Sequence, residues 1–110
     1  MTLNDVTTRN SHLSALSSAL GANSKIKGYE SGGTLLFVIT AVTYGSPSSG
    51  SMSVTSSTGD SSNDASGTVN NLKLTTSGDT VIATIASGEI TAGTVTAGGT
   101  TSLTSLSITI

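Results

Sequence analysis

The eleven residues "TLLFVITAVTY" at positions 34–44 constrain this chain more than any other stretch. β-branched and large apolar side chains stand at both odd and even positions, so an extended strand here is apolar on both faces. Such a strand belongs at the centre of a sheet and has to be covered from both sides. A membrane helix is excluded for it, because its longest unbroken apolar run, Leu35 to Ile39, falls far short of the roughly 18 residues a span requires. The rest of the sequence has to supply neighbours and cover for this one element.

Helical spacing occurs once, ahead of that strand. Leu13, Leu16 and Leu20 recur at intervals of three and four, Thr7 or Thr8 can cap the start, and Gly21 stands where helices commonly end. The stripe is narrow and its other face is Ser, Asn, Arg9 and His12, so this short helix is marginal unless it packs on something. From Lys25 onward the period is two. "KIKGYE", "SMSVTS" with Met52 and Val54 alternating with serines, "TVIATIA", "EITAGTVTA" and "LTSLSITI" all read as strands. "GSPSSG" at 45–50 and "SGD" at 77–79 supply turns, the second closing a hairpin over 68–86. In "TVNNLKLTT", Val69 is out of phase with Leu72 and Leu74, which predicts a bulge near Asn70 and Asn71. Residues 57–67, "STGDSSNDASG", predict a surface loop. Six or seven short strands with one helix predict an all-β fold, an antiparallel β-sandwich or small jelly roll, preceded by one short N-terminal helix. We divide the chain into an arm and helix over 1–22 and a β domain over 23–110.

Composition then narrows the function. Twenty-one serines, twenty threonines and 13 glycines suit turns and the solvated face of a sheet, where Thr is β-branched, polar and uncharged. The 29 Val, Ile, Leu, Met, Phe and Tyr residues make a small core for 110 residues, which favours an oligomer, or a protein docked on a larger surface, over an independent monomer. Four cations against six carboxylates give a net charge of −2, so no broad basic face for phosphates is expected and nucleic acid is not an expected partner. One Phe, two Tyr and no Trp leave no stacking platforms for bases or sugar rings. Cysteine is absent, which removes disulfides and thiolate metal sites. The opening "MTLNDVTTRN" has no basic start followed by an apolar stretch, so the expectation is a protein made in the cytoplasm, without signal peptide, anchor or membrane partner.

No motif predicts catalysis. His12 has Arg9, Asn10 and Ser11 as sequence neighbours and no carboxylate to orient it. Asp60, Asn63 and Asp64 form an oxygen-rich loop, but the ligand spacing of an EF-hand is missing, so a solvated turn is favoured over a calcium site. "ESGGT" and "GTVTAGG" lack the Lys and Ser/Thr of a phosphate loop. Asp5, Glu30, Asp79 and Glu89 are spread over different segments. The expectation is a non-enzyme with no cofactor and no bound metal.

"LNDVTTRNSHLSALSSALG", "GGTLLFVIT", "YGSPSSGSMSVTSS", "ASGTVNNLKLTTSGDTVIATI" and "GTVTAGGTTSLTSLSITI" together resemble small virion structural proteins of tailed bacteriophages. In those proteins a short N-terminal helix precedes a Ser/Thr/Ala/Gly-rich β domain with an "SGD" or "SDG" hairpin and a final alternating strand. Many of them carry an aromatic residue and an Arg before the hairpin, where this chain has Leu72, Lys73 and Leu74. The resemblance implies a capsid decoration, or cement, protein on the outer face of the major capsid protein lattice, forming a homotrimer or, next, a dimer. A tail or fibre component is the alternative, and a sugar- or calcium-binding β module is the alternative of another class. Contacts are expected on Leu13, Leu16 and Leu20 and on the last strand at Leu106, Ile108 and Ile110, although alternation alone does not separate an interface from a core face. On that footing, removal of residues 1–22 is expected to leave a folded β domain that no longer assembles. The final strand has no Lys, Pro or inward charge to protect it at a sheet edge, so it is either paired or covered by another subunit.

Overall fold

The computed structural model describes residues 4–87, 93–103 and 105–109. Helix α1 spans Val6–Leu20. Its cap is Asp5, not Thr7 or Thr8: the carboxylate accepts from the Thr8 amide at 2.9 Å and from the Thr8 hydroxyl at 2.8 Å. An aspartate three residues ahead reaches an orphan amide of the first turn, which a threonine already inside the helix does not. Gly21 ends the helix at φ 73, and its amide closes on the Ser17 carbonyl.

Among the described residues eight strands follow: β1 (Ser24–Tyr29), β2 (Leu35–Tyr44), β3 (Ser51–Thr58), β4 (Gly67–Thr68), β5 (Asn71–Thr75), β6 (Val81–Ile85), β7 (Thr94–Val95) and β8 (Ser107–Thr109). Six form one antiparallel sheet in the order β6-β5-β1-β2-β3-β8, and β4 pairs with β7 in a separate ribbon. Within the sheet, β1, β2 and β3 are consecutive and β5 returns beside β1, the arrangement of a Greek key. The sheet curls, and the fold is all-β and sandwich-like with one short N-terminal helix. The segments "EITAGTVTA" and "LTSLSITI" each contribute one short strand; residues 88–92, Thr104 and Ile110 lie outside the described residues.

The central strand is β2, as its sequence requires. Consecutive residues Leu36 and Phe37 are both buried, so the strand is covered on both faces. On the inner face, register places Ile26 against both Ile39 and Leu74. Ala41 adopts φ 50, and three positions on β2 (Ile39 to Val42) span two on β1 (Ile26 to Ser24). This bulge puts Ile39 and Val42 on the same side and bends the strand. The β2–β3 connection closes on Ser48 and Ser51, with Ser49 at φ 53 and Gly50 at φ 75. Two positive values at the centre of a turn match the right-handed twist of the strands they join.

Val69 breaks phase for a different reason from a bulge. The chain leaves the β4–β7 ribbon at Thr68 and enters the large sheet at Asn71, with the Val69 amide on Gly93 and the Asn70 amide on Tyr29. Two strands in two sheets therefore replace the single irregular strand that the spacing predicts.

The helix belongs to the same core as the sheet. Leu13 and Leu20 are 1% exposed, and Leu20 packs with Ile26, Leu36, Phe37, Ile39, Val42 and Leu74. The Asn10 side-chain oxygen also accepts the Gly50 amide at 2.9 Å, tying the helix to the β2–β3 turn. Helix α1 is thus packed on and bonded to the strands rather than standing off from them as an arm.

Candidate functional site

The described edges of the large sheet are β6 and β8, and a groove of about 430 Å³ opens between them. Its lining includes three consecutive residues of β6, Ala83 to Ile85, and three of β8, Ser107 to Thr109. Side chains alternate along a strand, so a cavity reached by consecutive residues is bordered by the strand's backbone edge rather than by one face. Leu16 and Leu74 form the floor. Neither β6 (VIATI) nor β8 (SIT) carries a charge or a proline, and Val81 and Ile82 are 49% and 37% exposed. This is the unprotected type of edge, able to pair with a further strand.

The six candidate contact residues divide accordingly. Leu13 and Leu20 are buried within the protein itself and are not available to a partner, Leu20 being packed against residues of β1, β2 and β5. Leu16, Leu106 and Ile108 are half-buried and meet at the groove. Ile110 lies outside the described residues.

The loop expected over 57–67 is confined to 59–66, because β3 runs through Thr58 and β4 begins at Gly67, and it is a latch. Asp60 Oδ2 accepts the Val38 amide at 2.9 Å, its Oδ1 accepts the Ser62 amide at 3.0 Å, and its backbone pairs with Thr101. The Asp64 amide binds the Leu36 carbonyl, so the loop satisfies the part of the β2 edge that β3 leaves open. Asn63 is buried rather than solvated. Its backbone binds Gly99 and Gly98, its side-chain NH₂ donates to the Thr96 carbonyl, and its Oδ1 accepts from the Thr101 hydroxyl at 2.7 Å. The Asp60 carboxylate and the Asn63 amide oxygen are occupied by donors of the protein itself, and no cluster of three potential metal ligands occurs among the described residues. His12 is exposed on the helix. Among the described residues three buried polar atoms lack a hydrogen-bond partner, Arg9 Nε, Asn71 Oδ1 and the Tyr44 hydroxyl, and burial pushes the Tyr44 pKa up to about 12.

One cluster escaped the sequence reading. The β1–β5 register sets Lys25, Lys27 and Tyr29 of β1 opposite Thr75, Lys73 and Asn71, so three of the four cations of the chain share one sheet face. Asp79, at the tip of the β5–β6 hairpin, receives Lys25 at 2.8 Å and Lys27 at 2.9 Å on one oxygen, Oδ1. The Lys73 ammonium lies 4.5 Å above the Tyr29 ring. Hydrogen bonds from Lys25 and then Lys27 push the Asp79 pKa down to about 2 from 3.8. A depressed carboxylate stabilises the fold above its unfolded value, and that contribution is lost as pH falls through the window from 3.8 to about 2. Melting curves of wild type and Asp79→Asn should therefore differ near neutral pH and converge below pH 2. A constant offset at all pH values would show that the ion pairs do not act in this way.

No family model, no curated protein and no solved structure matches this chain. No helix among the described residues is long and apolar enough to cross a membrane.

Proposed function

We propose that the protein is a structural component of a tailed-bacteriophage virion, a capsid decoration protein that docks on the outer face of the major capsid protein lattice and stiffens the shell. The observation that carries this reading is the groove between β6 and β8, where Leu16, Leu106 and Ile108 meet between two uncharged backbone edges. Such a surface favours hydrogen bonding along an added strand, with side chains entering an apolar floor. Repeated over a symmetric shell, contacts of modest strength per copy suffice to hold the layer. A homotrimer at a local threefold axis fits this role best, and no reaction is involved. The virion resemblance of the sequence supports the particle as the partner.

The test is to add purified protein to particles that lack it and to image them. Density at regular positions on the shell is the expected result; density only on tails or fibres, or none, overturns it. Thr109→Lys, which places a charge at the exposed rim of the groove opposite the uncharged Ser51, should reduce shell occupancy at least about tenfold without lowering the melting temperature.

A further inference from the structure

Lys27 stands directly opposite Lys73 in the antiparallel register, and Lys25 lies one pleat along on the same face. Like charges directly opposite one another destabilise a sheet, and Thr, the commonest strand residue here, would hold either position without that penalty. The chain has only one other cation, Arg9, on the helix. Concentrating the remaining three on adjacent strands breaks a local rule, and such breaks mark functional surfaces.

Among the described residues the compensation is incomplete. Lys25 and Lys27 share a single oxygen of Asp79. Among the described residues no carboxylate pairs with Lys73, whose ammonium faces the Tyr29 ring. Three ammonium groups against one carboxylate leave an excess of positive charge in a chain whose net charge is −2. Asp79 makes its contacts from φ 71, a left-handed conformation unusual outside glycine, so the hairpin tip holds its backbone in an unfavourable region while its carboxylate sits between the two lysines.

We propose that Lys25, Lys27 and Lys73, with Tyr29, form a docking surface for carboxylate side chains of a protein partner, and that Asp79 holds the place of a partner carboxylate in the free protein. Charge complementarity identifies the partner: the surface is positive on an otherwise acidic molecule, so it draws an acidic surface and orients this protein on it. The neighbours on the same sheet face are Val38, opposite Lys27, and Thr84, opposite Lys73, with exposed Ile82 two residues from Thr84. An apolar and hydroxyl border of this kind suits protein side chains. Three cations in one compact patch do not follow a phosphodiester backbone. This inference does not depend on the virion reading.

Labelled poly-L-glutamate serves as the probe, with binding followed by fluorescence anisotropy at low and at physiological salt. Wild type should bind at low salt and lose affinity as salt rises. Asp79→Asn, which releases two lysines, should bind at least about tenfold more tightly, and Lys27→Gln/Lys73→Gln at least about tenfold more weakly, with melting temperatures showing that each variant is folded. The tighter binding of Asp79→Asn is a gain that misfolding does not imitate. Equal binding by all three proteins, or none by any, overturns the proposal. Stronger binding of a single-stranded oligonucleotide of matched length overturns it as well, since the surface would then be a phosphate site.

Discussion

Deleting residues 1–22 is expected to leave a chain with no cooperative thermal transition. A helix with a weakly patterned face invites the opposite expectation, that of a docking arm which the β domain does not need. Burial decides against the arm. Leu13 and Leu20 are 1% exposed, and Leu20 sits among residues of β1, β2 and β5. Replacing one buried leucine by alanine costs about 2–5 kcal/mol, and a domain of this size has about 5–15 kcal/mol in total. Loss of both leucines, together with Leu16 and the Asn10 hydrogen bond to Gly50, approaches or exceeds the whole stability. Calorimetry of the truncated chain checks this directly. The point variant Leu20→Ala should lower stability by about 2–5 kcal/mol, whereas Ser18→Ala, at an exposed position of the same helix turn, should change it by less than about 0.5 kcal/mol. A truncated protein that melts cooperatively near the wild-type temperature would return the helix to the status of an arm.

What the sequence discloses about this fold depends on how local each cause is. The apolar run of β2 has only one physical solution, and consecutive burial of Leu36 and Phe37 is that solution realised. Alternation of Leu106, Ser107 and Ile108 likewise reports a strand with one inward face, and β8 lies at a sheet edge. Val69 is legible as an irregularity, but whether a phase break means a bulge or a passage between two sheets depends on what the flanking strands pair with, and those partners, β7 and β1, are remote in sequence. Asn63 shows the same limit. Its neighbours are small and polar, which signals a loop, while its burial follows from four hydrogen bonds to residues 96–101.

The candidate surfaces obey this division too. Lys25 and Lys27, two apart in a strand, are readable as neighbours on one face. Lys73 joins them only through the β1–β5 register, which a net charge of −2 does nothing to reveal. The groove requires still more, because it exists only where the two ends of a six-strand order approach one another above Leu16. Overall charge excludes a broad basic face but says nothing about a compact one. For that reason the lysine face can be tested separately from the groove, on different strands and with a different probe.

Gly28→Ala is expected to be among the most damaging single-methyl additions to the sheet. Gly28 is buried at the centre of β1 and pairs with Phe37 of β2, whose ring lies across it: a Cβ on Gly28 would overlap the ring at three of its atoms. Its backbone is not in the left-handed region, so alanine meets no conformational penalty there and the ring contact alone opposes it. Phe37 is 6% exposed and enclosed by the core, which leaves the ring little room to retreat. Overpacking of this kind costs about 1–3 kcal/mol, and the upper end is expected here because an aromatic ring rather than a flexible chain has to move. Urea denaturation with an unchanged m-value is the measurement. The decisive comparison is the Phe37→Ala background. That change alone should cost about 3–5 kcal/mol. With the ring gone, Gly28→Ala should become neutral or stabilise by about 0.4–1 kcal/mol, since alanine restricts the unfolded chain more than glycine does. The two substitutions must therefore couple strongly and favourably. If Gly28→Ala costs the same with and without the Phe37 ring, close approach to that ring is not what requires glycine at this position.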